Sequence, residues 1–149
     1  MFIANLNGIK KLGQLTYEKS EYSFDFSPAN PADITVMISY LHLGIDSETM
    51  LAQQVWGYNP YTVWVQKELN VPSYSTGELY LEETIQAGFS KSLDETEQWL
   101  TSYDESSGWI CIGDNNVSLD DITVEFANNT LATLNEGRIK AIWLKPLFV

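Results

Sequence analysis

The alternation of apolar and polar positions is plainest in Tyr22–Phe26, YSFDF. Tyr22, Phe24 and Phe26 fall on one side of an extended chain, and Ser23 and Asp25 on the other. Leu12–Tyr17 precedes it, so the two stretches predict a hairpin around EKSE. Pro28 and Pro31 then interrupt regular structure. Ile34–Leu43 is apolar enough to predict a central strand. The last forty residues read as four strands, Trp109–Ile112, Ile122–Phe126, Leu131–Leu134 and Arg138–Leu144. Asn135-Glu136-Gly137 supplies a tight turn between the last two. Strict alternation places Ile139, Ala141 and Trp143 on one face of the final strand. It places Arg138, Lys140, Ile142 and Leu144 on the other.

Other stretches point to helices. Asp46 or Ser47 can cap a helix running to about Trp56, through MLAQQVW. Ser92-x-x-Glu95 has the form of a capping box, with a helix to about Tyr103 and an apolar stripe of Leu93, Thr96, Trp99 and Leu100. TVWVQKEL reads better as a strand than as a helix. ELYLEETIQAG suits either. The expected fold class is therefore α+β: a mostly antiparallel sheet with a C-terminal meander and two or three helices packed on one face.

At 149 residues the chain predicts a single domain over 1–149 with a sizeable core. The formal net charge is −12, with twenty acidic and eight basic residues. This disfavours nucleic acid and anionic membrane as direct partners, and favours a basic protein. The charge is uneven: Glu78–Glu125 holds twelve acids and one base, Lys91. Cys111 is the only cysteine, so a disulfide framework is excluded. No signal peptide or long apolar run is evident, and a cytoplasmic location is expected.

Candidate chemistry is sparse. DNNVSLDD invites comparison with a calcium loop, but Leu119 stands where the sharp turn needs glycine, and strands flank it. Asx-type turns at Asn115 and Asn116 fit better. His42 is the only histidine and reads as a core-edge residue. Cys111 reads as a small buried apolar residue. No glycine motif cradles a phosphate. No cofactor, metal or catalytic residue is expected. Paired carboxylates are plentiful, so a small hydrolase using them, with His42, stays open as an alternative, as does a phage or structural accessory protein.

Aromatics and acids together point to protein recognition, with rings as anchors and acids selecting a basic partner. The expected partner-binding residues are Tyr58, Tyr61, Glu82, Glu83, Asp94, Glu97, Tyr103, Asp104, Glu105, Asp114, Asp120 and Asp121. The acidic profile, and the ending GRIKAIWLKPL (Gly137–Leu147), resemble immunity proteins of bacterial polymorphic and contact-dependent toxin systems. The resemblance implies a cytoplasmic, non-catalytic protein that neutralises a cognate toxin domain, such as a basic nuclease. It would do so by occluding an active site or a basic surface.

Overall fold

Extended segments pair from the start of the chain to its end. The computed structural model describes all 149 residues, Met1–Val149. Strands β1 (Phe2–Asn5), β2 (Gln14–Glu18), β3 (Ser23–Ser27), β4 (Ile34–Ile38), β5 (Leu41–Ile45) and β6 (Ala52–Tyr58) come first. Then follow β7 (Val65–Gln66), β8 (Ser75–Thr76), β9 (Glu78–Leu81), β10 (Ser90–Ser92) and β11 (Thr101–Tyr103). The last five are β12 (Ile110–Gly113), β13 (Ile122–Ala127), β14 (Thr130–Asn135), β15 (Arg138–Leu144) and β16 (Leu147–Phe148).

These strands form two seven-stranded sheets, in the orders β10-β4-β5-β6-β3-β2-β16 and β7-β11-β12-β15-β14-β13-β8. A two-stranded ribbon, β1-β9, joins them. The inner faces of both large sheets share one core. Tyr17, Phe24, Val36 and Leu43 come from the first sheet, and Ile112, Val124, Phe126 and Ile142 from the second. Phe2, Leu79 and Leu81 of the ribbon join the same core. The second sheet is also covered on its outer side. There Leu69 packs with Cys111, Leu131, Ala141 and Trp143.

All four edges of the large sheets are short strands. β10, β16, β7 and β8 have two or three residues each and pair parallel to their neighbours. Edges this short offer little backbone to a stray strand.

The expected helices are absent, and with them the α+β class. The only helical segments are single 3-10 turns, Tyr61–Val63 and Thr96–Gln98. Between Asp46 and Leu51 the chain turns instead of coiling: Asp46 Oδ1 accepts the Glu48 N–H, and Met50 takes φ +62°. Ala52–Tyr58 then enters the sheet between β5 and β3, with Val55 opposite Leu43. Burial in a sheet interior outweighs the helix preference of Met, Leu, Ala and Gln there. In the second expected helix Glu95 is left-handed at φ +67°. Thr96 Oγ1 accepts the Ser39 N–H. Leu100, placed on the apolar stripe, is 69% exposed.

Two further expectations change. The run Ile34–Leu43 is not one strand but a hairpin, β4 and β5, turning at Ser39 with φ +56°. In β15, Thr133 lies opposite Ala141 while Leu134 lies opposite Ile139, so Lys140 is an extra residue. This bulge reverses the alternation. Ile139 joins Ile142 and Leu144 in the inner core, and Ala141 and Trp143 face outward beneath Leu69. The hairpin turn before β15 does occur at Glu136-Gly137, both with positive φ.

Candidate functional site

Two cavities gather five of the twelve expected partner-binding residues, and they lie by different edge strands of the first sheet. One, of about 370 Å³, is bordered by Lys91 and Ser92 of β10. The other, of about 420 Å³, is bordered by Phe148 of β16.

The β10 cavity brings Glu83 and Asp94 together with Glu136, Arg138 and Trp99. The segment from Glu82 to Leu100 runs past it, and Glu83 and Asp94 are the acids of that segment that line it. Glu82, Asp94, Glu95 and Glu97 are exposed there, and none makes an ion pair. Lys91 is already engaged, its Nζ 2.6 Å from Glu83 Oε2. The hydrogen bond from Lys91 holds the Glu83 carboxyl below its usual range.

The β16 groove brings together Tyr61, Tyr103 and Glu105, with Trp64, Gln66 and Lys19. A chain of rings runs through it. Tyr61 and Trp64 have centroids 6.5 Å apart, Trp64 and Tyr103 5.3 Å, and Tyr103 and Phe148 5.7 Å. Tyr22 extends the chain outward by packing on both Tyr61 and Tyr58. Lys19 Nζ sits 5.1 Å from the centre of the Tyr61 ring, within cation–π range.

Asn59 fixes this geometry. Tyr17, fully buried in β2, donates its hydroxyl to the Asn59 carbonyl oxygen at 2.6 Å and accepts the Tyr61 N–H at 2.9 Å. Burial pushes the Tyr17 phenol up to about 12. The Asn59 side chain accepts the Trp64 indole N–H and donates to Thr101 Oγ1. Residues from both sheets thus converge on one buried amide. Trp64 and Asn59 were not among the expected site residues. The ambiguity of TVWVQKEL hid Trp64, because the adjoining Tyr61–Val63 is a 3-10 turn that follows no strand period, and Asn59 lies in the GYNPY turn just before it.

Several expected partner-binding acids serve the fold instead. Asp104, expected to be exposed, is only 7% exposed. Its carboxylate accepts the Leu69 N–H and the Ser106 N–H and hydroxyl. Those bonds, the Leu69 amide first, hold it down to about 2. They also pin the segment that covers the outer face of the second sheet. The Asp121 side chain is 3% exposed and binds Lys140 Nζ, the Ser118 N–H and the Asn135 amide. Burial opposes ionisation there, but these bonds win and the carboxyl lies below its usual range. Asp114 and Asp120 remain exposed. Asp114 Oδ1 accepts the Asn116 N–H, so the Asx turn of DNNVSLDD starts one residue earlier than expected. The loop joins β12 to β13, two strands, as the reading against a calcium loop requires.

His42 lines neither cavity. It lies between Met37 and Trp56 in the strand register, on the outer face of the first sheet, and stacks on Trp56 at 5.2 Å and 11°. Cys111 is buried, and burial pushes its thiol up to about 12. The carboxyls displaced from their usual range, Asp33, Glu83, Asp104 and Asp121, are all displaced downward. A general acid needs the opposite displacement. No helix is long and apolar enough to cross a membrane. Compared with protein-family models, curated proteins and solved structures, the chain matches none.

Proposed function

We propose that this chain is a non-catalytic binding protein that docks a basic protein partner. In the setting its sequence resembles, it neutralises a cognate bacterial toxin domain in the cytoplasm by covering a basic surface or active site. The observation that carries the reading is the state of the Glu82–Leu100 segment. Glu82, Asp94, Glu95 and Glu97 point to solvent unpaired, while the one base among them, Lys91, is held by Glu83. Unneutralised acids in one exposed segment attract Lys and Arg of a partner and speed the encounter. Exposed Asp114 and Asp120 add to the same field. Asp104 and Asp121 are bound internally and act as scaffold.

The test is co-purification of the tagged protein with its natural partner, followed by the triple variant Glu82→Lys/Asp94→Lys/Glu97→Lys. The expected results are recovery of a basic protein, binding that weakens with salt, and at least a tenfold loss in the variant at unchanged melting temperature. Recovery of no basic protein, or binding untouched by the charge reversal, refutes the reading.

A further inference from the structure

One end of the first sheet gathers exposed tyrosines and unpaired acids from segments far apart in sequence. The β4–β5 turn puts Tyr40 there. Leu41, next to it, pairs with Gly57, so the exit of β6 brings Tyr58 to the same end. Tyr58 pairs with Ser23, which adds the β2–β3 turn and Tyr22. The Asn59 N–H donates to the Tyr22 carbonyl oxygen at 2.7 Å, and the chain continues to Tyr61. On the other flank β10 runs parallel to β4, so Asp94, Glu95 and Glu97 leave the sheet at this end. The Ser39 N–H donates to Thr96 Oγ1 at 2.9 Å and fastens that acidic turn beside Tyr40.

The row is open to solvent. Tyr40 is 66% exposed, Tyr58 50% and Tyr61 39%. Tyr22, at φ +56°, holds its ring against both Tyr58 and Tyr61 and braces them. Neither Tyr40 nor Tyr58 lines the β10 cavity or the β16 groove, so these rings offer a surface and not a pocket. Six adjacent strands, β10 to β2, have an end along the row, a span of roughly 24 Å at about 4.8 Å per strand. That length suits a protein face better than a small molecule. Glu18, Glu21, Asp94, Glu95 and Glu97 are exposed along it and none makes an ion pair. The one lysine of the row, Lys19, sits over the Tyr61 ring.

Tyrosine supplies a large, stiff contact area and loses little freedom on binding. Rings of this kind desolvate at the centre of an interface, while acids around them pair with Lys and Arg. Nucleic acid, or a second copy of this chain at net −12, is repelled by the same acids. We infer that the basic partner docks across this end of the first sheet, with Tyr40 and Tyr58 as anchors and the flanking acids selecting its Lys and Arg. The inference rests on the docking role proposed above and gives it a location. Tyr40, Glu18, Glu21 and Glu95 thereby join the site.

The experiment places the photo-crosslinker p-benzoylphenylalanine in turn at Tyr40, Tyr58 and Glu48, the last in the β5–β6 turn at the opposite end of the sheet. Each form is irradiated in complex with the basic protein that co-purifies with the chain. Crosslinks are expected from Tyr40 and Tyr58 and not from Glu48. Tyr40→Ala and Tyr58→Ala should each raise Kd at least tenfold through faster dissociation, at unchanged melting temperature. The triple variant Glu21→Gln/Glu95→Gln/Glu97→Gln should instead slow association and flatten its salt dependence. A complex that gives no crosslink from Tyr40 or Tyr58, or a Kd unchanged in both tyrosine variants, overturns the location and leaves the docking role standing. Recovery of no basic protein overturns both.

Discussion

Trp64 gives its indole N–H to Asn59 Oδ1 at 2.6 Å, and through that amide it is tied to Thr101 in the other sheet. Asn59 is buried at the end of β6, and Tyr17 holds its backbone as well. The groove is therefore rigid because a polar bracket, and not only ring packing, sets its walls.

Asn59→Ala removes both side-chain bonds and leaves Trp64 Nε1 and Thr101 Oγ1 to find other partners. A buried polar group left unpaired costs about 1–3 kcal/mol. At about 2–4 °C per kcal/mol for a chain of this size, the melting temperature should fall by several degrees. Calorimetry checks the loss, and a red shift of tryptophan emission should accompany it as Trp64 loosens.

Acid should weaken the fold through its bound carboxylates. Asp104 titrates near 4 when unfolded but is held down to about 2 when folded. Its contribution is fully present above about pH 4 and disappears as pH falls through about 2. Asp33, Glu83 and Asp121 are displaced in the same direction. Melting temperature measured from pH 6 to pH 2 should drop below about pH 4. Asp104→Asn should be less stable at neutral pH and show a shallower acid limb.

Two of the lysine–carboxylate pairs should behave differently. Lys140 and Asp121 have side chains 13% and 3% exposed, at the β15 bulge. Lys140→Ala leaves a buried carboxylate short of a partner and should cost about 1–3 kcal/mol. Lys91 and Glu83 are much more open, and Lys91→Ala should cost under about 1 kcal/mol. Urea unfolding of both variants decides the comparison.

Gly113 ends β12 with φ +113°. A Cβ there would lie 2.6 Å from the Lys140 carbonyl oxygen and 2.9 Å from the Trp99 ring. Gly113→Ala combines a disfavoured backbone with a clash against fixed backbone, and should destabilise by more than about 1 kcal/mol. The same urea measurement applies.

Cys111 should be inert in the native state. Buried against Leu69 and Trp143, with its thiol raised to about 12, it offers little thiolate at neutral pH. A thiol reagent such as Ellman's should label it at the rate of unfolding, and rapidly in guanidinium. Fast native labelling would contradict the packing.

The parts of the fold legible from sequence were those where alternation and turn chemistry act locally. Ser23–Phe26 of YSFDF entered β3 while Tyr22 stayed in the turn with φ +56°, and the last four strands fell close to their expected spans, with Glu136-Gly137 turning between two of them. Features set by distant partners were not legible. Nothing local in DSETMLAQQVW shows that Ala52–Tyr58 will be flanked by β5 and β3. Nothing in RIKAIWL marks Lys140 as the extra residue that turns Ile139 inward. The site divides in the same way. Composition identified acids and aromatics, and Tyr61, Tyr103 and Glu105 do meet in one groove. Composition could not separate Asp104 and Asp121, consumed by internal bonds, from Asp94 and Glu97, which face water.

The pairing of β2 with β16 has a consequence in time. Gln14–Glu18 must wait for Leu147–Phe148, and β4 must wait for β10, before either edge of the first sheet is closed. Contacts so remote in sequence belong to proteins that fold over milliseconds to seconds, and slower than helical bundles of equal size. On a ribosome adding about 5–20 residues each second, the strand bearing Leu15 and Tyr17 spends several seconds without its last neighbour. Over that interval a nascent chain can rely on its abundant negative charge to keep it from its own kind.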